Sequence, residues 1–388
     1  MSDYSSQFDS LTVEDLHRRG TVKWNYFEPN VLALWVAEMD FPTAPPVVSA
    51  IEDAVRREEF GYPRMPGPNG LPEAVAEWSA NRYGWPIDAQ RVHVLPDVLK
   101  GVELAIDNFS PAGSAVILPT PAYMPFFDIP KVINRPLVEV PMLSTSGRYT
   151  FDLGGIEAAF AAGAGTLILC HPYNPLGRSF DRDELLALCD VVTRNGGRVV
   201  SDEIHSPLVY SNRHVPYASI SADAANHAIT LTSASKAWNL AGLKCAVAII
   251  GNDDDEEKWK GIPLLKTHGA STIGIAANTA AFRDGTAWLD SLIAYLDRNR
   301  KLLGELLAEY IPLVRYTIPE ATYMAWLDFR ELNLPQEPGD FFLSKSSVAM
   351  NPGVAFGANG AGFARLNFAT NTSILERAIK AMASAVHG

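Results

Sequence analysis

The sequence lacks the features that nucleic-acid-binding, membrane-spanning and secreted proteins need. It has 32 basic residues against 44 acidic ones, a net charge of −12, and no Lys/Arg-rich block that could neutralise a phosphate backbone. No apolar run approaches the roughly 20 residues needed to cross a bilayer. The first ten residues, "MSDYSSQFDS", lack the basic-then-apolar pattern of a secretion signal. We therefore expect no nucleic-acid partner and no membrane partner.

Cysteine is also scarce. Cys170, Cys189 and Cys245 are an odd number, and each lies in or beside an apolar segment, which is typical of reduced thiols in a protein core. From these cysteines we expect a reducing compartment, the cytoplasm, and we expect no metal site. The sequence also shows no internal repeat and no low-complexity linker.

The apolar pattern predicts an α/β protein. Short β-branched segments at 91–97, 114–120, 165–172, 197–203, 228–233 and 244–250 alternate with amphipathic stretches such as 181–190. This alternation predicts a mostly parallel sheet that is buried on both faces. Beyond about residue 280, a long helical pattern leads into alternating segments, which favours a second, smaller α+β domain. We predict a large domain over 46–280 and a small domain formed by 1–45 and 281–388.

One lysine stands out in "TSASKAWNLAG" at 232–242, directly after an apolar strand. A buried ammonium is costly unless it is paired or used chemically, so Lys236 is a candidate functional residue. Asp202, Asn174 and Tyr123 also follow predicted strands. Taken singly, each is explained equally well as a turn, cap or packing residue. Because ligands bind at the carboxyl edge of an open parallel sheet, we expect all four to converge there.

The chemistry of these residues suits pyridoxal 5′-phosphate. Lys236 could form an imine with its aldehyde, and Asp202 could keep its pyridine nitrogen protonated. Ser233, Ser235 and Lys244 bracket the lysine on a short loop, where they could offer hydroxyl donors and a cation to the phosphate.

Several segments resemble a known family. "SDEIH" at 201–205, "SASKAWNLAGLK" at 233–244, "HPYNPLGR" at 171–178, "PAYMPF" at 121–126 and "NPGVAFGANGAGFARLNFA" at 351–369 resemble fold-type I, aspartate-aminotransferase-like enzymes. "LWVAEMDFPTAPPV", which begins at Leu34, and "FGYPRMPG" at 60–67 resemble the MalY/PatB-type cystathionine β-lyases, or C–S lyases. The matches span nearly the whole chain in the family's order.

The resemblance implies a general architecture and a place in metabolism. It implies the PLP-dependent transferase fold and a homodimer whose active sites are shared between subunits. It also implies a small amino-acid thioether as substrate and a place in amino-acid metabolism such as methionine biosynthesis.

The resemblance also implies roles around the cofactor ring. Lys236 would carry pyridoxal 5′-phosphate as an imine and move the substrate Cα proton, while Asp202 would pair with the ring nitrogen. Asn174 would bond the ring 3′-oxygen, and Tyr123 would stack on the ring face. His205 falls where related enzymes place a second group near that oxygen, although a hydrogen-bonded core histidine is a comparable interpretation.

Further roles follow for the phosphate and the substrate. Val98 and Leu99 would offer backbone N–H groups to the phosphate at a helix N-terminus, and Tyr62 would reach the phosphate of the neighbouring subunit. Arg365 would clamp the substrate α-carboxylate in a bidentate contact. Two more residues are expected at the substrate: Trp35 and Ala37.

The chain departs from the family's pattern at two positions. Pro96-Asp97 stands where the family often has Pro-Gly, and because a carboxylate would be repelled by the phosphate, we expect Asp97 to point away. Glu38 replaces the usual Asp of "WVADMDF". Trp238 and Phe356 could line the substrate pocket or belong to the core.

Three functions remain open from the sequence. The first is β-elimination from a cysteine S-conjugate such as cystathionine, which gives a thiol, pyruvate and ammonia. The second is transamination on the same cofactor, and the third is a cofactor-binding regulator. A DNA-binding regulator would need an added basic or helix-turn-helix segment. The resemblance to the lyase subgroup favours the first.

Overall fold

A computed structural model describes residues 4–63, 70–210 and 213–387. The strands in these residues are β1 Leu32–Ala33, β2 Val92–Leu95, β3 Ala115–Thr120, β4 Leu137–Pro141, β5 Leu143–Thr145, β6 Arg148–Thr150, β7 Ala164–Cys170, β8 Arg198–Asp202, β9 Ala228–Thr232, β10 Ala246–Ile250, β11 Arg315–Tyr316, β12 Met324–Asp328, β13 Val348–Ala349, β14 Asn351–Pro352 and β15 Phe363–Asn367.

The α-helices connect these strands and cover the sheets. They are α1 Ser5–Asp9, α2 Val13–Arg18, α3 Val22–Asn25, α4 Pro45–Arg56, α5 Leu71–Trp78, α6 Val98–Phe109, α7 Pro125–Val132, α8 Leu153–Ala161, α9 Arg182–Arg194, α10 Ala222–His227, α11 Asp253–Lys260, α12 Leu264–Thr267, α13 Thr272–Asp284, α14 Thr286–Tyr310, α15 Pro338–Ser346 and α16 Thr372–His387. None of those described is long and apolar enough to span a membrane.

A seven-stranded sheet forms the centre of the fold, with the strand order β2-β10-β9-β8-β7-β3-β4. The pairs β4–β3, β3–β7, β7–β8 and β8–β9 are parallel, and β10 runs antiparallel to both of its neighbours. The mostly parallel α/β sheet is therefore confirmed. The edge strand β4 was not predicted, since its Pro-flanked sequence with Glu139 reads as a loop.

The large sheet is buried on both faces. Every residue of β9 and β10 is buried. Val247 and Ile249 belong to one hydrophobic cluster, whereas Ala246, Ala248 and Ile250 belong to another. Because successive strand residues face opposite sides, these continuous apolar runs fill two cores at once.

The C-terminal part forms a separate antiparallel sheet with the order β11-β12-β15-β14. The long helical pattern forms one helix, α14, whose buried face includes Leu292, Leu296 and Leu303. The N-terminal segment contacts this region, because β1 pairs with β13 and Asp40 N–H donates to Ala369 O at 3.0 Å. These contacts agree with the predicted return of the first 45 residues, and the domain boundaries themselves stay a prediction.

The fold places several strand ends at one edge of the large sheet. β8 ends at Asp202, and β9 ends four residues before Lys236. β7 and β3 end shortly before Asn174 and Tyr123, and α6 begins at Val98 just after β2. Parallel strands bring their carboxyl ends together, so this edge is where a ligand can meet all of these side chains.

Candidate active site

A cavity of about 140 Å³ opens at this edge. Most of the predicted site residues line it: Ala37, Val98, Leu99, Tyr123, Asn174, Asp202, His205, Ser233, Ser235, Lys236 and Lys244. Arg365, Trp35 and Tyr62 are predicted site residues that do not line this cavity. Arg365 nevertheless contacts Asn174 directly. The sequence-based expectation of convergence at one edge therefore holds for the residues around the ring and the lysine.

Lys236 lines the cavity, and the pKa of its ammonium group is lowered. Its Nζ donates to the Ala37 carbonyl at 3.0 Å, and the same oxygen accepts a hydrogen bond from Tyr323 OH at 3.0 Å. Desolvation, reinforced by the positive charge of Arg365, lowers the pKa of Lys236 to about 8. At pH 7 about a tenth of such an amine is neutral, enough for it to act as a nucleophile or base.

The loop that carries Lys236 is held from two sides. Asn278 Oδ1 accepts the Ala234 N–H at 3.0 Å. Asn239, whose φ of +60° is left-handed, exchanges two hydrogen bonds of 2.9 Å with the backbone of Met39. Trp238 points into the core and donates to Gly285 O at 3.2 Å, so its expected alternative as a pocket residue is wrong.

Asp202 is a buried carboxylate that lacks a cation. Its Oδ1 accepts the Ile204 N–H at 3.0 Å, and no ion pair with it occurs among the residues that the structure describes. Burial raises the pKa of Asp202 to about 7, and the charge of Lys236 only partly offsets this. A cationic group beside Asp202 would remove much of this desolvation cost.

Two aromatic side chains near Asp202 are held in neutral forms. Burial lowers the pKa of His205 to about 3, and its Nδ1 is buried with no hydrogen-bond partner among the described residues. His205 lines the cavity, so this nitrogen is available to a ligand. Burial also raises the pKa of Tyr123, so its phenol stays protonated.

Arg365 lies on β15 and is 1% exposed. Its Nη1 donates to Asn174 Oδ1 at 3.0 Å, and its Nη2 donates to Trp35 O at 2.9 Å and to Asn351 Oδ1 at 2.7 Å. Its Nε is buried without a partner, and the guanidinium lies 4.9 Å from the centre of the Phe356 ring. Burial lowers the pKa of Arg365 to about 10, which leaves it cationic at neutral pH.

The side chains of Trp35 and Phe356 do not line the cavity as pocket walls. The Trp35 ring packs against Tyr26 and Phe27 and donates to Lys23 O at 3.0 Å. Only its backbone carbonyl reaches Arg365. Phe356 is fully buried beneath the guanidinium.

The phosphate end of the predicted site contains an unexpected contact. Asp97 caps α6 by accepting the Lys100 N–H on Oδ1 at 2.8 Å, and its Oδ2 pairs with Lys244 Nζ at 3.1 Å. Asp97 also lines the cavity, together with Val98 and Leu99. The expectation that Asp97 points away is therefore wrong, because a helix N-terminus and a lysine both attract its carboxylate.

Ser233 lines the cavity, but its hydroxyl is already engaged. It donates to Cys245 O at 2.7 Å and accepts the Ser235 N–H at 3.0 Å. A hydroxyl has one proton to donate, so Ser233 in this geometry holds the lysine loop rather than offering a donor to a phosphate. Ser235 is the more accessible of the two serines.

Tyr62 is fully exposed and lies in a different place. It lines a groove of about 1260 Å³ with Phe60, Leu264 and Leu265 among its neighbours. Part of the motif that contains Tyr62, residues 64–67, lies outside the described residues.

Sequence reasoning missed several residues that hold the site. Tyr323 shares the Ala37 carbonyl with Lys236, Asn278 fixes the lysine loop, and Asn351 orients Arg365. Asn351 begins a motif that the sequence had singled out, but its role depends on the pairing of β14 with β15, which places it opposite Arg365. The charge of Glu38 acts on Lys236 by raising its pKa.

The residues present fit pyridoxal 5′-phosphate. The cavity combines a lysine with a lowered pKa, a buried carboxylate that lacks a cation and an unpartnered imidazole nitrogen. The first turn of a 12-residue helix and Lys244 also line it. By contrast, no cluster of three or more metal-ligating side chains occurs in the described ranges.

Comparison with known proteins finds a family and close relatives. The family described as aminotransferase class I and II matches residues 29–382. A cystathionine beta-lyase of Corynebacterium glutamicum is 41% identical over 96% of this chain and 98% of its own length. Cystathionine beta-lyase PatB of Bacillus subtilis is 32% identical over 95% of this chain and 98% of its own.

Solved structures agree with the sequence relatives. The crystal structure of a putative PLP-dependent beta-cystathionase from Corynebacterium diphtheriae superposes with a TM-score of 0.93. It is 45% identical, and the match covers 97% of this chain and 98% of the other. The similarity thus extends over nearly the whole chain.

Proposed function

Because this chain belongs to the aminotransferase class I and II family, we propose that it is a pyridoxal 5′-phosphate-dependent carbon–sulfur β-lyase. It would cleave cystathionine or a related cysteine S-conjugate to a thiol, pyruvate and ammonia. The observation that carries this proposal is the meeting of Lys236 and Asp202 in one cavity, with pKa values of about 8 and about 7. The relatives named cystathionine beta-lyase support the choice of reaction.

Asp202 would hold a proton on the ring nitrogen of the cofactor. When bound, pyridoxal 5′-phosphate supplies a cationic ring that accepts the electron pair left on the substrate Cα. A buried carboxylate with one backbone hydrogen bond gains most from a cation at contact distance, where the pair is worth on the order of 4 kcal/mol at an effective dielectric near 20. His205 and Asn174 would bind the ring oxygen, and Tyr123 would pack against the ring.

Lys236 carries the cofactor and moves the Cα proton. Its lowered pKa lets the amine be neutral when it must accept a proton. The Ala37 carbonyl, 3.0 Å from Nζ, orients the amine before the substrate arrives. The leaving thiolate needs little assistance, since a thiol has a pKa near 8.5, whereas the alkoxide of serine would need a strong acid.

Arg365 binds the substrate α-carboxylate. Hydrogen bonds to Asn174, Trp35 and Asn351 use three of its five N–H donors and fix its guanidinium plane. The unpartnered Nε–H and one Nη1–H are the donors left for a ligand. A planar, fixed guanidinium orients a carboxylate better than a flexible ammonium does.

In this proposal the cofactor phosphate is bound by four groups: the backbone N–H groups of Val98 and Leu99, the Ser235 hydroxyl and the Lys244 ammonium. Val98 and Leu99 are the first two residues of α6, so their amide hydrogens have no acceptor within the helix. Ser233 acts indirectly by holding the loop through Cys245 O.

A homodimer with shared sites is part of the same proposal. Tyr62 is fully exposed in one chain and lies in a groove with the exposed Leu264 and Leu265, which a second copy could cover. In that arrangement Tyr62 reaches the phosphate of its partner. We also propose a cytoplasmic location, which the three buried, unpaired cysteines support. A place in methionine biosynthesis stays a prediction.

A substrate panel tests the reaction. Purified enzyme is incubated with L-cystathionine, S-alkylcysteines, L-serine, and amino acids paired with 2-oxo acids, and thiol, pyruvate and amino-group transfer are recorded separately. We expect sulfur conjugates to react well ahead of serine, with thiol released in the absence of any 2-oxo acid. Turnover that requires a 2-oxo acid and releases no thiol would make the enzyme an aminotransferase. A protein that binds the cofactor and turns over nothing in the panel would favour the regulator.

A further inference from the structure

Asp97 binds a helix N-terminal N–H group and a lysine ammonium, which are groups that an anionic ligand would also bind. Its carboxylate bonds the Lys100 N–H in the first turn of α6 and the Lys244 ammonium at 3.1 Å. Val98 and Leu99, one and two positions further along, line the same end of the cavity. A carboxylate on a helix N-terminus and a lysine makes the same two kinds of contact as a phosphate.

Lys244 is held in an unusual way. Its backbone has a left-handed φ of +47°, which is uncommon for a residue with a long side chain, and its side chain is 61% exposed. The backbone oxygen of Lys244 accepts the Ser271 N–H at 3.0 Å, so the chain around it is anchored. The backbone of Lys244 is therefore fixed beside the cavity that its side chain lines, within reach of Asp97.

We propose that Asp97 competes with the cofactor phosphate for Lys244 and thereby loosens the hold of this enzyme on pyridoxal 5′-phosphate. This inference rests on the proposed function and adds to it a residue that sets cofactor retention. An ammonium has three donors and can touch two anions, but a carboxylate and a phosphate dianion on one lysine repel each other. The Asp97 carboxylate thus places a negative charge on the cation that the phosphate would use.

The test replaces Asp97 by asparagine. Asn is as good an N-cap as Asp, so Asp97→Asn keeps the Lys100 hydrogen bond and the helix while it removes the charge. Binding of pyridoxal 5′-phosphate to cofactor-free protein is measured by titration of tryptophan fluorescence. Binding of inorganic phosphate to the same protein is measured by calorimetry. We expect both ligands to bind about 5- to 20-fold more tightly in the variant.

Asp107→Asn is the matched control. Asp107 lies on the same helix and pairs with Lys266 at 2.9 Å, with side-chain exposures of 42% and 47%. The change removes the same charge from a Lys–Asp pair that is not at the cavity. Both affinities should stay within about twofold of the wild type. Unchanged or weaker binding in Asp97→Asn, or an equal gain in Asp107→Asn, overturns the proposal.

The same Asp97→Asn substitution in a Lys244→Met variant tests whether Asp97 acts through Lys244. In Lys244→Met, Asp97 has no cation to compete for, so adding Asp97→Asn should give clearly less than the gain seen in the wild type. If the full gain persists without Lys244, Asp97 acts by repulsion alone and the competition for Lys244 is wrong.

These outcomes are separable from a failure of the proposed function. Wild-type protein that binds no pyridoxal 5′-phosphate contradicts the function itself. Wild-type protein that binds the cofactor, combined with unchanged affinities in Asp97→Asn, contradicts only the role of Asp97.

Discussion

The two ends of the cavity differ in how completely one chain builds them. At the lysine end, Asp202 is 4% exposed and accepts a backbone hydrogen bond. Arg365, which lies beside this end and contacts the cavity residue Asn174, is 1% exposed. At the phosphate end, the Lys244 side chain is 61% exposed and forms an ion pair with Asp97. Tyr62 is fully exposed and does not line this cavity. The reacting end is preorganised within one chain, and the phosphate end is open to solvent.

This difference has a physical consequence. Burial moves the pKa of Lys236 and the pKa of Asp202 toward neutrality, where proton transfer is useful. Solvent screens the charges at the open end, so single contacts there contribute less. Substitutions at the lysine end should therefore affect the reaction strongly, and those at the phosphate end should mainly affect cofactor retention.

The largest effect is expected at Lys236. Lys236→Ala removes the cavity lysine that would carry the cofactor, so turnover should fall by at least about 10⁴-fold and the visible absorption of the bound cofactor should be lost. The thermal midpoint of the cofactor-free protein should change little, because the variant loses one hydrogen bond, from Nζ to the Ala37 carbonyl. A variant that keeps both its colour and its turnover would show that another lysine carries the cofactor.

Asp202→Asn should have the next largest effect. The amide keeps the shape and the Ile204 hydrogen bond but cannot neutralise a cationic ring, so kcat should fall on the order of 10²- to 10³-fold. Glu203→Gln is the matched control, since Glu203 is equally buried but bonds His214 and Tyr217 instead of lining the cavity. Steady-state kinetics that show equal losses in both variants would remove the special role of Asp202.

At Arg365 we expect a loss of substrate binding. Arg365→Lys keeps the charge but loses the planar fork, so KM should rise about 10- to 100-fold and kcat should fall less, as expected for a charge-assisted contact of about 1.5–3 kcal/mol. The control is a substrate analogue without the α-carboxylate, whose binding is followed by the change in cofactor absorption. The variant and the wild type should bind this analogue equally. A selective loss for the analogue would contradict the assignment.

The smallest effect is expected at Tyr62. Tyr62→Phe removes one hydroxyl donor, so the dissociation constant of the cofactor should rise about 3- to 10-fold while the kcat of the loaded enzyme stays near the wild-type value. The affinity is measured by titrating cofactor-free protein with pyridoxal 5′-phosphate.

Mixed dimers decide whether Tyr62 acts across the interface. In a dimer of one Tyr62→Phe chain and one Lys236→Ala chain, the single site that retains Lys236 receives an intact Tyr62 from its partner. Its cofactor affinity should equal that of the wild type. The weaker affinity of the Tyr62→Phe homodimer at that site would mean that Tyr62 acts within its own chain.

The sequence predicted the reacting end well because its residues follow a local rule. Asp202, Asn174, Tyr123 and Lys236 each follow a strand, and parallel strands bring their ends together. Local patterns also predicted α14 and most central strands. The phosphate end was harder, since Asp97 was judged by its repulsion from a ligand rather than by its preference for a helix N-terminus.

Long-range contacts account for the other differences. Asn351 reaches Arg365 because β14 and β15 pair, and Tyr323 reaches Ala37 across a separation of 286 residues. The core position of Trp238 depends on packing against Trp78 and Phe282, which no local pattern indicates. Domain boundaries and the roles of the site residues stay predictions for experiment.

The most direct test of the preorganised lysine end is the position of the covalent bond to the cofactor. Holoenzyme is reduced with borohydride, which fixes the cofactor to the lysine that carries it, and the digested protein is mapped by mass spectrometry. We predict that the added mass lies on the peptide containing Lys236 and that Lys244 is unmodified. Added mass on Lys244 or on any other lysine, with Lys236 unmodified, would contradict the account.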